Sequence, residues 1–165
     1  MKHAFIALGG NVGEVAITFN SARVEIAALP HTTVTASSLL FRTPPLGPPG
    51  QPDYYNAVIA ITTGLAPLAL LDALQSIEHR HGRVRTVRWG ARTLDLDIIA
   101  IATEIIALPR LSIPHPLMHT RQFVLRPLCD IAPEWHHPQL GEPASSLLAD
   151  LLRHGEAPLA EGRIW

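Results

Sequence analysis

The chain is built from short apolar segments whose period changes at each glycine or proline boundary, and this alternation restricts it to a mixed α and β architecture. Ala4 to Leu8 is continuously apolar, so His3 to Leu8 predicts a buried strand, closed by the turn Gly9-Gly10-Asn11-Val12-Gly13. Directly after it, Val15, Phe19, Ala22, Ile26 and Leu29 step by four and three, the period of one helix face, and Pro30 stops that helix. Val34 to Phe41 predicts a strand, Thr43 to Asp53 a proline-rich loop, and Asn56 to Thr63 a further strand. Pro67 suits a first helical turn, and Leu70, Leu71, Leu74 and Ile77 form the stripe of a helix reaching about His81. Thr93 to Ile101 predicts a strand, and Phe123 to Ile131 and Ser145 to Arg153 two more helices. The order βαββαβ followed by helices points to an α+β, ferredoxin-like sheet with helices packed on it, although such elements can also be arranged otherwise.

A length of 165 residues predicts one domain over 1–165. Hydrophobic residues are 47% and charged residues 16%, with a mean hydropathy of +0.19, which excludes disorder and supplies a core. Thirteen basic against fourteen acidic residues leave a net charge of −1, so no field of the whole molecule draws it to nucleic acid or membrane. One cysteine, Cys129, and no signal-like segment predict a cytoplasmic protein. Tyr54 to Leu71 lacks charge, but Asn56, Thr62, Thr63, Gly64 and Pro67 break it, so no membrane span is expected.

Asp95-Leu96-Asp97 interrupts an apolar strand, and residues two apart on a strand share a face. Two carboxylates aimed at one spot repel unless a cation lies between them, and all-oxygen ligands suit Mg²⁺. Taken alone, the pair is weak evidence for a metal and reads more readily as a solvated strand face capped by arginines. Its neighbourhood favours the metal. His79 to Arg92 holds five arginines, Arg80, Arg83, Arg85, Arg88 and Arg92, without an acid, while the chain's single lysine is Lys2. Arginine in preference to lysine indicates forked recognition of phosphate or carboxylate oxygens, and an acidic pair beside such a cluster is equipment for phosphoryl transfer.

Other segments leave two readings open. Trp89 either stacks on a flat ring or anchors the arginine loop. The loop from Thr43 to Asn56, ending in Tyr54-Tyr55-Asn56, either holds a small heteroaromatic ligand or is a rigid connector. His115, His119 and Arg121 mix metal ligands with phosphate donors, but the ligands for zinc are too few, and Cys129 reads as a small core residue. The glycine turn after the first strand matches neither the Walker nor the dinucleotide pattern.

These segments resemble the 6-hydroxymethyl-7,8-dihydropterin pyrophosphokinase family. The resemblance rests on Phe5 to Gly9, Arg42 to Gly47, Gln51 to Asn56, Gln75 to Glu78, Gly82 to Arg85, Ile113 to His115, Arg121 to Phe123 and above all Arg88-Trp89-Gly90-Ala91-Arg92-Thr93-Leu94-Asp95-Leu96-Asp97-Ile98. It implies a ferredoxin-like αβα sandwich with a mainly antiparallel sheet. It also implies transfer of the pyrophosphoryl group of ATP to the pterin hydroxymethyl oxygen, with release of AMP, in folate biosynthesis. By the same resemblance Asp95 and Asp97 hold two Mg²⁺ ions, and Arg83 and Arg92 serve the transition state. Gln75, Glu78, Arg85, Trp89, Arg92, Ile98, Arg110, Ser112, His115 and Arg121 would contact ATP. Gly9, Thr43, Pro44, Pro45, Leu46, Tyr54, Asn56 and Phe123 would hold the pterin, with Phe123 stacked on its ring. The arginine loop would close over both substrates.

Two departures stand out: Gly10 where the family usually has serine, and Ala91 where it usually has proline. The implied partners are ATP and the reduced pterin alone, with no nucleic acid, no membrane and a monomeric chain. The competing readings are a ferredoxin-like RNA- or nucleotide-binding module and a metal-dependent nucleotidyl or glycosyl transferase. Against the first stands an aromatic content of 5%, and against a glycosyl transferase the short chain.

Overall fold

A computed structural model describes residues 1–44, 49–50, 52–82 and 93–165. Its strands are β1 (Lys2–Gly10), β2 (Thr32–Ser37), β3 (Phe41–Thr43), β4 (Tyr54–Thr63), β5 (Asp95–Ile101), β6 (Ile106–Leu108) and β7 (Leu111–Ile113). Its helices are α1 (Val15–Ala27), α2 (Pro67–Arg80), α3 (Gln122–Ile131) and α4 (Ala144–Arg153), with a short 3₁₀ turn at Met118–Thr120. The main sheet runs β2-β4-β1-β5, every pairing antiparallel, with β3 also paired to β4. The central strands β1 and β4 pair with each other, and the outer partner of each, β5 and β2, arrives after a helix, which is the split βαβ arrangement expected of this element order.

Alternation along the strands divides the core in two. Ala4, Ile6 and Leu8 of β1, with Ile59 and Ile61 of β4, bury against Phe19 and Ile26 of α1 and Leu70, Leu74 and Ile77 of α2. Phe5 and Ala7, with Val58 of β4, bury on the opposite face in the cluster holding Leu125 and Leu128 of α3 and Leu147 of α4. Helices therefore cover both faces, an αβα sandwich. An irregularity between Phe5 and Ile6, opposite Ile98 to Ala100, leaves the neighbours Ile99 and Ala100 in the same cluster without disturbing the strict alternation from Asp95 to Ile98.

Three local expectations need correction. The first strand continues through Gly9 and Gly10, which pair with Asn56 and Tyr55, so the turn begins at Asn11 and not at Gly9. Val34 to Phe41 is two strands: the Ser38 N–H bonds the Val58 carbonyl, the Leu39 N–H turns to the Asp130 carboxylate, and Leu40 leaves the ladder to pair with Arg163. The hairpin β6–β7 was not expected, because strands of three residues show no period.

Candidate active site

The acidic pair sits on β5, an edge strand. Leu96 and Ile98 point into the cluster beneath α1 and α2, so Asp95 and Asp97 project from the face that α3 and α4 only partly cover. The ladder sets two rows across three strands. Asn56, Gly9 and Asp95 form one row, and Val58, Ala7 and Asp97 the next. Glycine in the middle of the first row leaves a slot between an amide and a carboxylate: a Cβ at Gly9 would stand 3.1 Å from Asn56 Nδ2 and 4.0 Å from Asp95 Cβ. Asn56 Oδ1 is buried without a hydrogen-bond partner, an acceptor that burial makes costly unless a ligand donor reaches it.

The slot has defined walls. Thr43 pairs with Tyr54, two residues before Asn56 on the same face, and so brings the end of the proline loop to it. The first turn of α3 carries Phe123, half-buried, with the Arg121 guanidinium 5.6 Å above its ring. Asn11, buried in the turn after β1, donates from Nδ2 to the Pro52 carbonyl at 3.3 Å, and Arg42 bridges Asp53 at 3.4 Å. These two bonds hold the returning arm of the proline loop; Asn11 was not singled out from sequence, where a buried amide in a glycine turn is the signal it offered.

On the other side of the acidic pair, the His115 N–H donates to the Ile99 carbonyl at 2.9 Å and its Nδ1 accepts the Leu117 N–H at 3.2 Å. That leaves Nε2 as the outer nitrogen. Burial pushes the His115 pKa down, Asp97 opposes the shift and Arg121 adds to it, so all three charges bear on one place. The turn between β6 and β7 brings Arg110 to α2, where it bonds Asp72 at 2.5 Å and Gln75 at 3.3 Å; Ser112 follows, exposed, on β7. Ile98 is buried in the core. Glu78, although charged, is also buried, and its Oε2 accepts the Leu96 N–H at 2.7 Å.

The described residues thus bring Gly9, Thr43, Tyr54 and Asn56 to one side of Asp95 and Asp97, while Phe123 packs on the α3–α4 face of the sheet beside Arg121. His115 and Arg121 lie beside Asp97, and Gln75, Arg110 and Ser112 lie around the β6–β7 hairpin and α2. Pro44 follows β3 directly. Pro45, Leu46, Arg83, Arg85, Trp89 and Arg92, and with them the expected closure of the arginine loop, lie outside the described residues. Two carboxylates on one strand face supply hard oxygen donors of the kind Mg²⁺ takes, so the donor set fits the expected metal.

A family model described as 7,8-dihydro-6-hydroxymethylpterin-pyrophosphokinase (HPPK) matches residues 5–133. A Pseudomonas aeruginosa 2-amino-4-hydroxy-6-hydroxymethyldihydropteridine pyrophosphokinase is 46% identical over 90% of this chain and 91% of its own. The Haemophilus influenzae protein of the same name is 46% identical over 93% of this chain and 92% of its own. Among solved structures, a Plasmodium falciparum HPPK-DHPS with pteroate superposes with a TM-score of 0.74 at 15% identity. It is matched over 93% of this chain, which spans only 43% of that larger one, and at this identity the likeness shows the fold alone.

Proposed function

Because the chain belongs to the HPPK family, and so transfers the pyrophosphoryl group of ATP to the hydroxymethyl group of 6-hydroxymethyl-7,8-dihydropterin in folate biosynthesis, we propose that it does this across the row Asn56, Gly9 and Asp95. The family match leaves the RNA-binding and glycosyl transferase readings without support. The observation that carries the placement is Gly9, a strand position without a side chain, set in one row between an unsatisfied, buried amide oxygen of Asn56 and the Asp95 carboxylate.

In this reading the pterin lies over Gly9, its ring N–H groups donate to Asn56 Oδ1, and Phe123 stacks on it beside Tyr54, Thr43 and Pro44, with Pro45 and Leu46 assigned to it by the family resemblance alone. The triphosphate reaches the same point from the side of Gln75, Arg110, Ser112, His115 and Arg121. Asp95 and Asp97 would hold the two Mg²⁺ ions that the family resemblance implies. Bound there, Mg²⁺ neutralises phosphate oxygens and lowers the pKa of the attacking hydroxyl. His115 presents Nε2 as a neutral donor, and Arg121, beside Phe123, couples the phosphate side to the ring side. Glu78 acts here as a support of β5 as well as a neighbour of the nucleotide, while Arg83, Arg85, Trp89 and Arg92 complete the ATP side by the family resemblance. The chain works as one domain and a monomer in the cytoplasm; among the described residues no helix is long and apolar enough to cross a membrane.

The test is incubation with ATP, Mg²⁺ and the reduced hydroxymethylpterin, with an EDTA control and chromatographic resolution of the nucleotides. AMP formed only with both pterin and metal is the expected result. ADP as product overturns the assignment of the β-phosphorus as electrophile, and AMP production unaffected by EDTA overturns the metal.

A further inference from the structure

The segment after α4 crosses back over the sheet, and nothing in the reaction as derived above uses it. Leu40 and Arg163 exchange both backbone hydrogen bonds, at 2.8 and 3.0 Å, and so restore a partner to the chain where it leaves the main ladder between β2 and β3. Trp165 anchors the far end. Its ring meets Phe19 edge-on at 5.9 Å, the Arg23 guanidinium lies 3.9 Å above it, and its Nε1 donates to the Ser38 carbonyl at 2.7 Å. Gly162 lies so close to the strands that a Cβ there would stand 2.8 Å from Leu39 Cβ and 2.8 Å from the Phe41 ring. The strap is therefore seated against residues 38–41 along its length.

Those residues lead directly into the candidate site. β3 begins at Phe41, which pairs with Asn56, and ends at Thr43, which pairs with Tyr54. Arg163 also places its guanidinium 5.2 Å over the ring of Tyr55, the residue between Tyr54 and Asn56. Tyr55 points to the opposite face from its two neighbours and packs against the α1–α2 cluster, so Arg163 cannot touch a ligand in the slot; it acts on the backbone that carries Asn56.

We propose that the strap Gly162 to Trp165 positions the pterin slot, with Arg163 on Tyr55 as its working contact. Arg163 is a positioning residue. It holds β3 and the start of β4 in register at the point where Thr43, Tyr54 and Asn56 must keep their spacing; its contacts are to Leu40 and Tyr55, whereas the start of α3 is met by earlier residues of the same segment, Ala157 and Leu159, which bond Gln122. The proposal rests on the placement of the pterin at Asn56 given above.

The experiment compares steady-state constants for both substrates in Arg163→Ala, Arg163→Lys, Asn56→Ala and, as a control in the same strap, Ile164→Ser, whose side chain is exposed. Thermal midpoints are recorded in parallel. The expected result is a pterin KM raised roughly three- to fivefold in Arg163→Ala, the loss that a cation–π contact near the surface supports. Arg163→Lys should recover part of it, with kcat, the ATP KM and the thermal midpoint changed little and Ile164→Ser silent. A pterin KM unchanged in Arg163→Ala, while Asn56→Ala raises it, overturns the strap's role. Equal rises in both KM values with a lowered midpoint also overturn it, since they report a structural contact only. A pterin KM unchanged in Asn56→Ala removes the placement on which the proposal rests.

Discussion

Glu78 Oε2 accepts the backbone N–H of Leu96 at 2.7 Å, and Leu96 lies between the two aspartates. The carboxylate comes from the last turn of α2 and covers a strand N–H that β1, on the other side of β5, does not reach. A buried hydrogen bond to a charged acceptor contributes about 1.5–3 kcal/mol, and leaving its donor unpaired costs about as much. Glu78→Leu should therefore lower unfolding free energy by about 1–3 kcal/mol in urea titration. Glu78→Gln keeps an acceptor oxygen and should recover most of that stability; an unchanged midpoint in the leucine variant would remove this bond from the account.

Asp97 is exposed and lies outside the two apolar clusters, so its removal should not unfold the chain. Asp97→Ala is expected to reduce AMP formation by on the order of 10³-fold or more, about 4 kcal/mol of barrier, with the thermal midpoint little altered. Asp95→Ala should behave alike. Turnover close to that of the unaltered protein would sink the metal assignment.

Much of this arrangement was readable in the residues. Strand period two places Asp95 and Asp97 on one face whatever the tertiary fold, and helix period fixes the buried sides of α1 and α2. What escaped depends on distance in space. The break at Ser38 to Leu40 is caused by Asp130 and Arg163, about 90 and 120 residues further along, and no local pattern announces either partner. Glu78 is a carboxylate in a polar-looking helix end, and only the arrival of β5 beside it makes it a buried acceptor. Trp165 likewise carries meaning through Phe19, Arg23 and Ser38 and through nothing near it in sequence.

The Gly9 slot gives a third expectation. A side chain there meets Asn56 Nδ2 at 3.1 Å before any ligand is present, and overpacking at so tight a point costs about 1–3 kcal/mol. Gly9→Val should raise the pterin KM by roughly tenfold or more, in line with that range, and leave the ATP KM near its starting value. Equal affinity for the pterin in both proteins would place the ring elsewhere.

Cys129 tests the burial of α3. Burial raises its thiol pKa, Asp130 adds to the rise and Arg126 opposes it, with the result near 11. The thiolate is the reactive form, so at pH 8 the folded protein should be alkylated by iodoacetamide roughly a hundredfold more slowly than the chain in denaturant. Comparable rates in the two states would mean that α3 opens on the timescale of the reaction.

His137 supplies a dependence on pH with a definite sign. Its ring is buried between Trp135 and His119, and its Nδ1 accepts the N–H groups of Gln139 and Leu140, each at 3.2 Å. Burial, and then the neighbouring His119, push its pKa below the ordinary value of 6.5, so the fold favours the neutral ring. Above pH 6.5 folded and unfolded chains are both neutral here and the contribution is complete. As pH falls below that value the unfolded chain takes up the proton first, and stability declines until the folded ring protonates as well. His137→Asn offers an amide oxygen to the same two N–H groups without titrating. Between about pH 6.5 and about pH 5.5 the thermal midpoint of the unaltered protein should fall more steeply than that of the variant, and parallel slopes would show that the loop between α3 and α4 does not sense acid through this ring.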